Sequence, residues 1–545
     1  MKHLRRLLTF ACLAALPMAG AAAREPVAAP APAAQKKQPN IVFILTDDQR
    51  YDELGTLNPA LKTPNLDKLA KGGLYFPNAF VTTALCSPSR ASIVTGRYMH
   101  RHGVVDNNAS MAEGSRLVSE RLAALGYDTA FVGKWHMGGE TDAPQPGFRH
   151  WVSFAGQGNY WPDQQVGESA NNAHGNLFNV DGRHVKQTGY ITDELTRYAT
   201  DWLKKGRDPS KPFFLYLSHK ALHADFKPAT RHIGTYAKTP FPDPVTMADK
   251  PENFEGKPMW VRNQRNSWHG VDFPYHSTLS MEQYRRNYAE TLSAVDESVG
   301  SVLAYLKAQG LEKDTIVIFT SDNGFMFGEH GLIDKRNAYE ESMRVPLLVY
   351  APGRFPAGKT VDRLVANIDF APTFVELAGG TAEPGAFDGR SWLALAEGRT
   401  VADWRTSLLY EYYWEFNYPM TPTTFALRGD RYKLIQYHGI WDTDELYDLK
   451  TDPQETRNLI DDPALLAVKV AMRQQLYDTL GSGGRHAVPY TRKFNSGAVF
   501  RNENGSPAAA FPKAWIRKPG DRDLDQHFLP DGPDKAQKLK ELEKY

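Results

Sequence analysis

The chain has 545 residues, of which 41% are hydrophobic, 12% aromatic and 23% charged. This composition excludes a collagen-like, coiled-coil or wholly disordered protein, and the length allows a large core in about two to four domains, or one large domain with an appendage. Sixty-four Lys plus Arg nearly balance 63 Asp plus Glu; the net charge of +1 gives no electrostatic case for nucleic acid as a partner.

In chain order, residues 1–23 come first. Lys2, Arg5 and Arg6 precede the apolar run Leu7–Leu16, and Ala21-Ala22-Ala23 follows. The run is shorter than the roughly 20 residues that span a bilayer, so the segment reads as a secretory signal peptide and the protein as periplasmic or secreted. Cys12 sits in a poor lipobox, Thr9-Phe10-Ala11. Removing the segment's three basic residues takes the net charge from +1 to −2 and leaves Cys86 as the one mature cysteine. Residues 24–38 are Ala/Pro-rich and read as a tether. No later apolar run is long enough for a membrane span.

From residue 39 strand and helix patterns alternate. Ile41–Thr46, Thr129–Gly133, Phe213–Ser218, Thr315–Thr320 and Val345–Tyr350 read as strands. Helices are expected from Thr63-Pro64 to Gly72-Gly73, over Ser115–Leu125, Thr192–Lys205 and Met281–Gln309. Continuous apolar strand runs between helices predict an α/β fold with a mostly parallel sheet between helices, over residues 39–400. Beyond residue 400, Leu408–Trp414, Thr424–Arg428 and Tyr432–Tyr437 predict a smaller antiparallel sheet, with a helix over Ala464–Leu480, in a C-terminal α+β subdomain of residues 401–481. Residues 482–545 read as an extended tail, closed by a short charged helix at 534–545.

Ligands of open parallel sheets bind at the C-terminal strand ends. Asp47 and Asp48 follow the first strand. Lys134, Trp135 and His136 follow the second, His219, Lys220 and His223 the third, and Ser321, Asp322 and Asn323 the fourth. Any one of these could simply start a loop; together they describe one crevice carrying acids and bases. Asp47, Asp48, Asp322 and Asn323 are hard oxygen donors suited to Ca²⁺ or Mg²⁺. The bland alternative is an Asp48 turn cap and an ordinary Asp322-Asn323-Gly324 turn. Pro88 fits a first helical turn, which puts Cys86 at a helix N-terminus with Arg90 four residues on and on the same face. That pairing suits a tetrahedral oxyanion. A buried structural cysteine and a plain thiolate nucleophile are the alternatives.

Cys86-x-Pro88-x-Arg90 with Thr95-Gly96-Arg97 resembles the signature of type I sulfatases. The resemblance continues in Pro39-Asn40-Ile41 through Asp47-Asp48, Gly133-Lys134-Trp135-His136-Met137-Gly138, Ser321-Asp322-Asn323-Gly324, Lys335 with Tyr339-Glu340-Glu341, and Glu445 to Pro453. It implies an alkaline-phosphatase-like fold and a Cys86 oxidised to formylglycine by a formylglycine-generating or anaerobic sulfatase-maturating enzyme. It further implies one Ca²⁺ on Asp47, Asp48, Asp322 and Asn323 with the modified Cys86 beside it, and Arg90 holding the aldehyde hydrate. Lys134, His136, His223 and Lys335 would bind sulfate and manage protons. Leu222 precedes His223 where many members have Pro; His223 is still preferred to His219. The strings Ser218 to His223, Leu332 to Arg336 and Glu411 to Glu415 are most similar to N-acetylglucosamine-6-sulfatases of the mucin-desulfating or glycosaminoglycan-degrading kind. Aromatic residues in Tyr410–Tyr418 and Tyr437–Trp441 could stack on sugar rings or pack the small sheet, and His330 could reach substrate or finish a loop. Rival readings are a sulfatase of another sugar or of aryl sulfates, a phosphatase or phosphonate hydrolase of the same superfamily, and a non-catalytic sugar-binding protein.

Overall fold

A computed structural model describes residues 38–138, 141–163, 176–272, 274–276 and 279–482. The signal peptide, almost all of the tether and tail, and the helix expected at 534–545 lie outside the described residues. Ten strands form the large sheet: β1 (Asn40–Thr46), β2 (Leu74–Tyr75), β3 (Asp128–Gly133), β4 (His150–Ser153), β5 (Leu177–Val180), β6 (Arg183–Lys186), β7 (Phe213–Ser218), β8 (Thr315–Ser321), β9 (Leu347–Tyr350) and β10 (Lys359–Thr360). Their spatial order is β10-β2-β9-β8-β1-β7-β3-β4-β5-β6. The run β8-β1-β7-β3-β4 is parallel. Beyond it, β9 pairs antiparallel with β8, and β5 and β6 continue antiparallel from β4. The sheet is thus parallel at its centre and mixed at its flanks, a detail that the apolar run at Val345–Tyr350 does not encode.

The central strands are apolar throughout because both faces are covered. Ile41, Phe43 and Leu45 of β1 join one core cluster, and Val42 and Ile44 join the other. The first cluster includes side chains of α2 (Cys86–Thr95), α3 (Val118–Ala124) and α6 (Phe370–Leu377). The second takes in α1 (Pro64–Gly72), α4 (Ile191–Asp201) and α5 (Met281–Ala308). The helix expected over Thr192–Lys205 loses α-geometry at Trp202–Gly206, a π turn. The one expected from Ser115 starts at Val118, with the Leu117 N–H donating to the Glu120 carboxylate at 2.7 Å.

The smaller sheet is antiparallel and in chain order: β11 (Ser407–Tyr412), β12 (Thr423–Gly429), β13 (Tyr432–His438) and β14 (Glu445–Asp448). Tyr410, Tyr412, Ala426, Ile435 and Tyr447 pack into the cluster that includes α2, while Leu409, Leu427 and Leu434 pack against Leu476 and Leu480 of α7 (Leu466–Gly481). Alternation along each strand therefore buries both faces.

Register brings the central strand ends level. Leu45 and Gly133 both pair with Ser218, and Thr46 pairs with Ser321. Gly133 has φ +130°, and a Cβ there would lie 1.7 Å from the Ser218 carbonyl oxygen. Only glycine permits this close approach. The Lys134 N–H then donates to that same carbonyl at 2.8 Å, which carries Lys134 over the end of β7.

Candidate active site

Asp47 and Asp48 leave β1 in different directions because Asp48 adopts a left-handed conformation, φ +55°. The Asp47 N–H donates to the Ala221 carbonyl at 2.9 Å, and the Leu222 N–H donates to the Asp47 carbonyl at 2.7 Å. The loop after β7 is thereby fastened to the end of β1. Asp322 accepts the Asp48 N–H at 3.2 Å, so β8 joins the same corner. Oxygens of Asp47, Asp48 and Asp322 lie within 4.8 Å of one another, and all three residues are buried.

Such a cluster needs positive charge. Burial raises the Asp47 carboxyl, but Lys134 and Arg90 outweigh it and hold the group well below its ordinary value. Burial pushes Asp48 well up; Lys335 opposes this, and Asp47 and Asp322 reinforce it. Asp322 is raised by burial and then by Asp47. Asn323 donates from its amide to Asp48 at 2.6 Å and to the Gly324 carbonyl at 2.8 Å. Its Oδ1 is buried without a hydrogen-bond partner. Three gathered carboxylates and an orphaned amide oxygen have the chemistry to suit a hard divalent cation.

Cys86 is the first residue of α2 and is fully buried, its Sγ 3.5 Å from Asp47 Oδ1. Burial, then the Asp47 charge, pushes the thiol far above its ordinary value, so an unmodified Cys86 is a poor thiolate nucleophile. One turn on, Arg90 is held on every side. It donates to Asp322 at 2.8 Å, Asp47 at 3.2 Å, Ser218 Oγ at 2.7 Å and the Lys134 carbonyl at 2.6 Å.

Lys134 and His136 flank Trp135, whose ring is locked against Phe131 at 5.3 Å and Trp151 at 5.5 Å. The anchored indole sets its neighbours toward the site. Lys134 binds Asp47 and donates to Gln157 at 2.6 Å. His136 has φ +52°; its Nδ1 lies 3.4 Å from Ser87 Oγ, and its carbonyl accepts from that hydroxyl. Lys335 Nζ donates to both Asp48 oxygens at 2.7 Å. A ring nitrogen of His223 lies within 4.8 Å of Asp47 and Cys86, and its Nδ1 is 2.5 Å from the Ala224 carbonyl. Burial, reinforced by Lys134 and Lys335, lowers the imidazole well below its ordinary value. Of the residues singled out in the sequence, Asp47, Asp48, Cys86, Arg90, Lys134, His136, His223, Asp322, Asn323 and Lys335 thus stand at or beside one corner of the sheet. His219 does not; its Nε2 is 3.1 Å from Ser298 Oγ on α5, and burial lowers it to about 4. His330 is fully buried against the Tyr339 ring at 4.3 Å.

The sulfatase family profile matches residues 39–380. The chain belongs to the sulfatase family. A second profile, described as the C-terminal region of N-sulphoglucosamine sulphohydrolase, matches residues 328–481 of this sulfatase. It is 34% identical over 489 residues to an N-acetylglucosamine-6-O-sulfatase of Bacteroides thetaiotaomicron, covering 78% of this chain and 83% of that one. A multifunctional alkaline phosphatase superfamily protein of Trinickia caryophylli is 30% identical, with 85% and 99% covered. A solved structure of a protein in complex with its substrate D-glucosamine-2-N,6-O-disulfate superposes with a TM-score of 0.73 at 30% identity, covering 82% of this chain and 98% of that one. This sulfatase is a sulfuric ester hydrolase with the fold expected from its sequence. None of its described helices is long and apolar enough to cross a membrane.

Sequence reasoning did not single out Gln157 or Tyr160 for the site. Both lie in the irregular loop after β4 (His150–Ser153), a strand that the sequence does not make evident, so reasoning from strand ends does not reach them.

Proposed function

We propose that this sulfatase is exported through its N-terminal segment and hydrolyses 6-O-sulfate esters of N-acetylglucosamine in mucin or glycosaminoglycan, by way of a formylglycine made from Cys86. The observation that carries the chemistry is Cys86 at the head of α2, buried against Asp47 with Arg90 one turn away. The sugar is carried by the 34% identical N-acetylglucosamine-6-O-sulfatase and the glucosamine-disulfate complex.

Asp47, Asp48, Asp322 and Asn323 would hold Ca²⁺, with Mg²⁺ the less suited ion; when bound it supplies charge that polarises the sulfuryl group and steadies the residue at position 86. Arg90, Lys134 and Lys335 orient the sulfuryl oxygens and stabilise the charge that grows on them. One hydroxyl of the hydrated aldehyde at position 86 attacks sulfur, and the bond from sulfur to the sugar oxygen breaks. A proton from His223 or Lys335 goes to the departing oxygen, with His136 lining the anion site. The second hydroxyl then loses its proton, the bond from the side-chain carbon to the sulfated oxygen breaks, sulfate leaves and the aldehyde returns. A plain serine or cysteine has no second hydroxyl and so no exit.

Two measurements test this. The intact mass of the peptide carrying position 86 should show the thiol replaced by an aldehyde. A panel of defined sulfated saccharides should show release of sulfate from 6-sulfated N-acetylglucosamine. Cleavage of 2-O- or N-sulfated sugars with that substrate untouched would refute the choice of sugar. The likeness to the multifunctional alkaline phosphatase superfamily protein keeps a second reading, hydrolysis of phosphate or phosphonate esters, so the panel includes a phosphate monoester.

A further inference from the structure

Lys220 is a buried cation that the mechanism above does not use. It lies two residues beyond β7 and is 4% exposed. Arg90, Lys134 and Lys335 each face a carboxylate. Among the described residues Lys220 has no such partner. Instead its ammonium sits 4.6 Å from the centroid of the Tyr160 ring. An ammonium on so buried a residue, facing an aromatic ring and no carboxylate, costs stability. It is balanced when an anion arrives.

The local architecture ties Lys220 to the turn that carries His223. The His223 N–H donates to the Lys220 carbonyl at 3.0 Å, which closes a turn between the two residues. Tyr160 grips both ends of that turn: its ring lies against the Lys220 ammonium and its hydroxyl donates to the His223 carbonyl at 2.7 Å. Tyr160 is itself buried and stacked on Tyr190 at 5.9 Å. The other end of the turn presents the His223 ring to Asp47 and Cys86. The charges that act on Lys220 belong to the same corner, namely Lys134, Asp47 and Asp48, together with Asp225.

We propose that Lys220 is a further anion-binding residue of this site, its ammonium held on the Tyr160 ring to donate a hydrogen bond to an oxygen of the bound sulfuryl group. The inference rests on the sulfatase reading. Burial, with Lys134 next, lowers Lys220 to about 8, which a bound anion would reverse.

The test uses full-length protein as wild type, Lys220→Met and Lys220→Arg, with inorganic sulfate as the probe by titration calorimetry. Melting temperatures and kcat and KM on 6-sulfated N-acetylglucosamine are measured alongside. The Met variant should bind sulfate about tenfold to a hundredfold more weakly and lose kcat/KM to match. Its melting temperature should hold or rise, because an uncompensated buried charge is gone. The Arg variant keeps the charge and the ring contact and should recover most of the sulfate affinity. Unchanged sulfate affinity in the Met variant overturns the proposal, and so does a loss that tracks a fall in melting temperature and is not rescued by Arg. If wild type releases no sulfate from any ester, the functional reading fails while the sulfate titration still decides the role of Lys220; if wild type binds no sulfate, this proposal fails as well.

Discussion

At the scale of single residues, the site is a balance of buried charges, with Asp47, Asp48 and Asp322 set against Arg90, Lys134 and Lys335, and the proposed metal would add to it. Asn323 bears on that metal most directly: both amide hydrogens are used and its oxygen is left bare in the interior. Asn323→Leu keeps the volume and removes the donor oxygen. It should weaken calcium binding about tenfold to a hundredfold, read by calorimetric titration of metal-stripped protein; equal affinity in both proteins would remove Asn323 from the ligand set. Cys86→Ser leaves one hydroxyl where the mechanism needs two. It should take up a single sulfuryl group from substrate and stop there, seen as a stable mass increase on the intact protein, and steady turnover by that variant would discredit the two-hydroxyl exit. Asn323 was legible in the sequence because it closely follows an apolar strand run, and Cys86 because Pro88 and Arg90 mark the helix that it begins. Lys220 was visible as a polar residue after a strand, but its significance was not, because that depends on Tyr160, far away in the chain and brought near only by folding.

At the scale of elements, β7 and α5 show how position along a loop separates two histidines. His219 and His223 are four residues apart, yet the first turns back to Ser298 on α5 and the second reaches Cys86. His219 is buried neutral, and burial sets its folded value at about 4 against an unfolded value near 6.5. Above pH 6.5 neither state is protonated and the contribution to stability is complete. As pH falls from 6.5 to 4 the unfolded chain takes up the proton first, so stability drops, by about 3 kcal/mol in total. His219→Gln does not titrate and can keep the bond to Ser298. Its urea midpoint should therefore fall less steeply between pH 7 and pH 4.5 than that of wild type; parallel slopes would mean that His219 is not the titrating group. The central parallel strands could be read from composition, because a strand covered on both faces must be apolar throughout. The reversal of β9 could not, since an apolar run of that kind pairs equally well in either direction.

At the scale of the whole molecule, the two sheets are fastened by a buried ionic network as well as by a shared apolar cluster. Lys433 on β13 donates to Glu340 at 3.1 Å and pairs with Glu455 at 2.6 Å, and Arg428 on β12 also binds Glu340. Glu340 follows Tyr339, which donates to Glu445 on β14 at 2.9 Å. Glu340 lies five residues beyond Lys335, so the small sheet braces the segment that delivers a cation to Asp48. Lys433→Met leaves Glu455 without its cation and Glu340 with Arg428 alone, and should cost about 3–5 kcal/mol, measured by urea unfolding. A loss under about 1 kcal/mol would show the network to be dispensable. The complete burial of Cys86 also sets an order of events. An enzyme that makes the proposed formylglycine would have no path to this side chain once α2 has docked on the sheet, so the change would be made on a nascent or unfolded polypeptide, and the finished fold would then seal the aldehyde in. On that proposal, a batch of chains that folds too early would be committed to inactivity, and adding the maturation enzyme afterwards would not recover it.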